Sequence, residues 1–201
     1  MRAAPFVLLL CLACSERSKP NTPRDAVRGF GAALAEFDYD AIQPFVSGDE
    51  ADLEHLAVFF DWCRVSVEFR SKFLAAYGDD GWAEFNDNEE ANVSITQNRN
   101  IDRFDHVRYQ IKGDTAVGVL PNDPQKLHLV SDGRRWSVDL RKTMGYTGEQ
   151  LSDNTRLYRK LADAIRDATP RIGAEGVTPA GLDTELAAEF EAAFREAGRI
   201  R

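Results

Sequence analysis

The stretch VRYQIKGDTAVGVLPNDPQKLHLVSDGRRWSVDL, residues 107–140, decides the fold class. Along it the polarity of the side chains alternates with a period of two, the signature of strands that bury one face. Val107, Tyr109 and Ile111 alternate with Arg108 and Gln110, and Lys112-Gly113-Asp114 reads as a turn. Thr115 to Leu120 reads as the next strand, and Pro121 to Pro124 as a longer connection. Leu127 and Leu129 then alternate with His128 and Val130. Asp132-Gly133 is the strongest hairpin signal in the chain, and Trp136, Val138 and Leu140 follow it against Ser137 and Asp139. Short loops between consecutive strands require an antiparallel meander. Upstream, Val93 and Ile95 alternate with Ser94 and Thr96 and extend the same pattern.

Outside the meander the apolar period is close to that of a helix. Thr22 suits an N-cap, Pro23 the first helical position and Asp25 the third, a capping-box-like start. Val27, Phe30, Leu34 and Phe37 form one stripe behind it. Asp38-Tyr39-Asp40 breaks that helix, and a short helical turn runs on to Pro44. Ser47 or Asp49 caps the next, with Leu53, Leu56 and Phe60, then Trp62, Val65, Phe69 and Phe73, through to Tyr77. Gly78 stands where a helix ends, and Asp79 to Glu90 reads as an acidic surface loop. Beyond the meander, Asp153 opens a helix with Leu157, Leu161, Ile165 and Ala168 on one side, ending before Pro170. Thr178-Pro179 opens the last, striped by Leu182, Leu186, Phe190 and Phe194. The expected architecture is α+β: N-terminal helices packed on a curled antiparallel sheet, followed by a C-terminal helical pair. The expected divisions are 22–147 for the sheet-bearing unit and 148–201 for the helical extension.

The N-terminus speaks to location. Arg2 is followed by an unbroken apolar run from Phe6 to Ala13, and Cys14 closes it. Eight apolar residues make a helix of about 12 Å, far short of the roughly 30 Å hydrocarbon core, so the run reads as a cleavable signal rather than a span. Cys11-Leu12-Ala13-Cys14 resembles a bacterial lipobox. That resemblance implies removal of residues 1–13 and acylation of Cys14, with residues 14–21 as a tether. It also implies attachment to an envelope membrane, on its periplasmic or surface side. Cys63 then remains as the single thiol, set among Phe59, Phe60 and Trp62, where a small inert hydrophobe is expected. The acidic balance, a formal net charge of −8, together with the lack of a basic stripe, argues against nucleic acid as a partner.

Residues 22–141 resemble the nuclear transport factor two-like superfamily, whose cone-like fold includes the ketosteroid isomerases. The likeness rests on the capped first helix with Asp25-Ala26-Val27 and the segment Ala32 to Asp40. It also rests on the Gly113-Asp114-Thr115-Ala116-Val117 hairpin and the closing Asp132-Gly133-Arg134-Arg135-Trp136-Ser137-Val138. It implies a pocket between sheet and helices that binds a ligand, catalyses, or is filled by side chains; the fold alone does not choose.

His128, in mid-strand, and the i, i+4 pair Arg64 and Glu68 are candidate pocket residues, although a surface ion pair is the plainer account of the last two. His55, beside Glu54, is expected on a solvated helix face. Asp105 and His106 are neighbours on an expected strand and so point to opposite faces. Asn92-Val93-Ser94 fits a glycosylation sequon, which carries little meaning if the host is a bacterium, as the lipobox resemblance implies. No metal-binding, nucleophile-elbow or phosphate-loop motif is present, so no catalytic residue and no cofactor is implied. Three roles stay open at this point. They are a non-catalytic domain binding a small ligand or an envelope protein, a structural or assembly role, and a small isomerase- or dehydratase-like enzyme.

Overall fold

The computed structural model describes residues 22–86, 102–121, 124 and 126–199. Cys14, the tether and the alternating segment at 93–96 lie outside the described residues.

Helix α1 (Pro23–Glu36) starts as its sequence dictates: the Thr22 hydroxyl accepts from the Asp25 N–H, and the Asp25 carboxylate accepts from the Thr22 N–H. It ends in a left-handed turn at Phe37 (φ 50°), after which Asp38 immediately caps α2 (Tyr39–Ile42) through the Ala41 N–H. A 3₁₀ turn, Gln43–Phe45, leads into strand β1 (Val46–Ser47). Helix α3 (Glu50–Asn86) follows, begun by a reciprocal cap in which Asp49 and Asp52 each accept the other's N–H at 3.0 Å. The short helix α4 (Asp102–Asp105) precedes the meander of β2 (Arg108–Lys112), β3 (Thr115–Val119), β4 (Lys126–Ser131) and β5 (Trp136–Asp139). Asp139 then caps α5 (Leu140–Met144), and α6 (Gly148–Ala168) and α7 (Pro179–Glu196) complete the chain.

The protein is α+β, and its sheet is mixed rather than antiparallel throughout. The strand order is β1-β5-β4-β3-β2, and β1 runs parallel to β5, with Val46 opposite Val138. The meander itself is antiparallel as expected, Lys112 meeting Thr115 across the two-residue turn and Ser131 meeting Trp136 across the Asp132-Gly133 loop. The parallel strand escaped the sequence because two residues cannot display a period. Physically, β1 covers an edge of β5 that would otherwise be open to pairing.

Helix α3 does not stop at Gly78. Its geometry breaks there (φ 71°), but helix resumes to Asn86, so residues 79–86 are not the expected surface loop. Trp82 and Phe85, three apart, explain the difference. Phe85 is wholly buried, 4.8 Å from the Phe73 ring and 5.4 Å from that of Phe69. Helix α6 likewise starts earlier than Asp153: Thr147 and Gln150 form its capping box.

Two hydrophobic cores share α3. Its first half joins Val27, Phe30, Ile42, Val138 and Leu140 under the sheet. Its second half joins Leu157, Leu161 and Ile165 of α6 with Leu182, Leu186 and Phe190 of α7. The stripe on α7 is therefore buried against the rest of the protein. Tyr77 ties the α6–α7 loop down as well, donating to the Val177 carbonyl and accepting from the Gly173 N–H, both at 2.9 Å. Among the described residues no helix is long and apolar enough to cross a membrane.

Candidate functional site

Where the sheet-side core meets α6, the packing leaves a cavity of about 270 Å³. Phe30 and Leu34 of α1 and Phe104 of α4 form one wall, and Leu120 with Leu127 of β4 forms the sheet side. Helix α3 contributes His55, Leu56 and Phe59, while α5 and the loop after it contribute Leu140, Thr143, Met144 and Tyr146. Tyr158 of α6 closes it. Its surface is therefore apolar and aromatic with few polar groups, the general make-up of small-molecule sites.

His55 is the chemically distinctive member. It is only 4% exposed, and its Nδ1 lies 3.0 Å from the Thr155 hydroxyl oxygen on α6. The Tyr146 and Tyr158 rings flank it, with centroids at 5.7 and 5.8 Å. Burial pushes its pKa below the ordinary 6.5, and the nearby Asp52 carboxylate opposes that only in part, so the imidazole is neutral at neutral pH. Asp52 is itself buried and committed elsewhere, accepting from Arg141 Nε of α5 at 2.6 Å and from the Asp49 N–H. Burial also raises the Tyr158 pKa, keeping its hydroxyl protonated.

The position of His55 corrects the expectation of a solvated histidine. Asp52, His55, Phe59, Trp62 and Ser66 recur at spacings of three and four and make one stripe of α3. Three of the five are polar, yet Asp52, His55 and Ser66 are all buried. The signal in the sequence was the registration of His55 with Phe59 and Trp62, concealed by the hydropathy of its companions.

The residues proposed for a pocket from sequence lie elsewhere. Arg64 and Glu68 are exposed on α3, and Arg64 pairs with Asp61 at 3.0 Å rather than with Glu68. His128 faces away from the cavity, because its strand neighbours Leu127 and Leu129 are the buried ones. The Thr143 hydroxyl brackets the His128 backbone, accepting from its N–H at 3.0 Å and donating to its carbonyl at 3.4 Å. His106 is exposed just after α4, and the Asp105 carboxylate pairs with Arg28 Nε at 2.8 Å. Cys63 is buried, and desolvation pushes its thiol pKa up to about 12, which leaves it unreactive at neutral pH. Among the described residues no group of three His, Cys, Asp or Glu side chains is placed to hold a metal ion.

Fold and cavity together define a class: an α+β protein with a five-strand mixed sheet and a small aromatic cavity between sheet and helices. No protein-family model matches the chain, and no curated protein or solved structure matches it either.

Proposed function

We propose that this chain is a lipid-anchored protein of a bacterial envelope whose folded part binds a small ligand without transforming it. The cavity beside His55 is the observation that carries the binding half of this reading. A dry cavity of about 150 Å³ accommodates benzene, so about 270 Å³ suits a molecule of roughly ten non-hydrogen atoms. The cone-like arrangement implied by the family resemblance is part of the same proposal. It is supported by helices preceding a meander and by a cavity lined by both.

The anchoring half rests on Arg2, the apolar run from Phe6 to Ala13, and Cys14. A single acyl chain holds a protein only marginally, whereas a multiply acylated cysteine holds it stably. The full chain expressed in a lipoprotein-processing host is expected in the membrane fraction, and Cys14→Ser is expected to release it. Unchanged fractionation and mass in that variant would overturn the anchor.

A second reading, an isomerase- or dehydratase-like enzyme in the same cavity, is favoured by one observation: a neutral imidazole flanked by two tyrosines. General acid–base catalysis needs two groups converging on one substrate. Among the described residues His55 bonds to Thr155 and to neither tyrosine hydroxyl, so no relay is assembled. An enolisation and dehydration substrate panel separates the two readings. Saturable turnover that disappears with His55→Phe would establish the enzyme.

A further inference from the structure

The hydrogen bonds around His55 determine which proton it carries. A threonine hydroxyl has one hydrogen to give. Thr155 gives it along its own helix, to the Leu151 carbonyl four residues earlier at 2.8 Å. The 3.0 Å contact to His55 Nδ1 must then be made with hydrogen from the imidazole, so Nδ1 bears the proton and Thr155 accepts it. In a neutral ring the other nitrogen, Nε2, is left with a lone pair and can only accept. Among the described residues nothing donates to it; the residue is only 4% exposed and lines the cavity, from which this nitrogen stays reachable.

We infer that the cavity selects a neutral, largely apolar molecule of about ten non-hydrogen atoms that presents an O–H or N–H donor to Nε2 of His55. This rests on the reading of the cavity as a ligand site. A ketone, ether or carboxylate would set lone pair against lone pair. A carboxylate would further require His55 to take up a second proton, which its burial opposes, and among the described residues no Lys or Arg lines the cavity to replace that charge. A phenol meets each condition: its ring stacks among Phe30, Phe59 and Tyr158, and its hydroxyl is the missing donor.

The test is calorimetric titration of the full chain, kept free of lipid by Cys14→Ser, with three probes of similar size. They are para-propylphenol, para-propyltoluene (a methyl in place of the hydroxyl) and para-ethylbenzoate. The phenol is expected to bind about ten- to a hundredfold tighter than the other two, the range of one hydrogen bond gained or lost in a largely desolvated site. His55→Phe is expected to abolish that preference while still binding the toluene. A nitrogen-15 spectrum of the unsubstituted ring is expected to show Nδ1 protonated and the Nε2 resonance moving upfield on phenol addition alone, so the inference stays decidable if His55→Phe fails to fold. Equal binding of phenol and toluene, or tightest binding of the benzoate, would overturn the donor requirement and leave the ligand site standing. Binding of none of the three would overturn the ligand site itself.

Discussion

Asp52 at the start of α3 and Arg141 in α5 form an ion pair at 2.6 Å across 89 residues of sequence, and the carboxylate end is 2% exposed. The same guanidinium reaches Asp49 at 2.9 Å, so one arginine holds both members of the cap that starts α3. That cap lies within one helical turn of His55. The pair therefore joins the helix carrying the imidazole to the short helix carrying Thr143 and Met144, two further walls of the cavity.

Replacing Arg141 should expose how much depends on this junction. In Arg141→Met the buried Asp52 carboxylate keeps only the Asp49 N–H as a partner. Breaking a fully buried pair costs about 3–5 kcal/mol, but Arg141 is about one-third exposed and water screens it. The expected result is a lower urea midpoint at an unchanged slope. Asp52→Asn, which removes the buried charge while retaining a hydrogen-bonding side chain, should cost less than Arg141→Met.

His55 makes stability depend on pH in a defined window. Desolvation lowers its folded pKa below the unfolded 6.5, so well above that value both states are neutral and the full stability is present. As pH falls below about 6.5 the unfolded chain takes up a proton that the folded chain resists, and stability declines until the folded pKa is passed. The groups facing the ring are Asp52 on its own helix, Thr155 and Tyr158 of α6, and Tyr146 of the preceding loop, and only Asp52 favours the protonated form. Asp49 and Asp61 have pKa values lowered from 3.8 and act further into acid. Urea midpoints measured from pH 7.5 to 5 should therefore fall for the unaltered protein and fall less for His55→Phe.

The sequence disclosed most where burial was one-sided. Strands β3 and β4 each hide one face, so their period could be read, and the α7 stripe was legible for the same reason; β2 hides none, and its Ile111 is 59% exposed despite the alternation. The site was less legible because its helix stripe is polar in composition: Asp52 and His55 are buried by partners on α5 and α6 that no local pattern announces. Helix resuming after Gly78 was hidden by the acidic Asp79, Asp80 and Glu84, which are exposed, while Trp82 and Phe85 turn inward. The capping box at Thr147 and Gln150 was present in the sequence and overlooked behind Gly148.

Phe85 and Phe190 test whether the α6–α7 pair is integral to the protein. Both enter the core formed by the second half of α3, Phe85 at 1% exposure and Phe190 at 5%. Truncation of a buried phenylalanine costs about 3–5 kcal/mol through lost transfer energy and the cavity left behind. Phe85→Ala and Phe190→Ala should each lose about that much stability, read as a lower urea midpoint within a single transition. A separate early transition for Phe190→Ala, with the sheet-side core unaffected, would mean that α7 is a detachable arm.

Gly31 on α1 governs how far Phe104 intrudes on the cavity. A Cβ at Gly31 would lie 2.3 Å from Phe104 Cδ2 and 2.7 Å from its Cγ, so Gly31→Ala must displace that ring. The ring stands edge-on to Phe30, 6.2 Å between centroids, and both line the cavity. Overpacking of this kind costs about 1–3 kcal/mol, and here the displaced atoms also reshape the ligand's wall. Gly29→Ala provides the comparison, because its Cβ would meet the Phe45 ring at 2.1 Å and Phe45 does not line the cavity. Both variants should lower the Tm, but only Gly31→Ala should weaken para-propylphenol binding. Equal affinity in the two variants, at comparable losses of Tm, would mean that Phe104 is ordinary core and forms no part of a binding site.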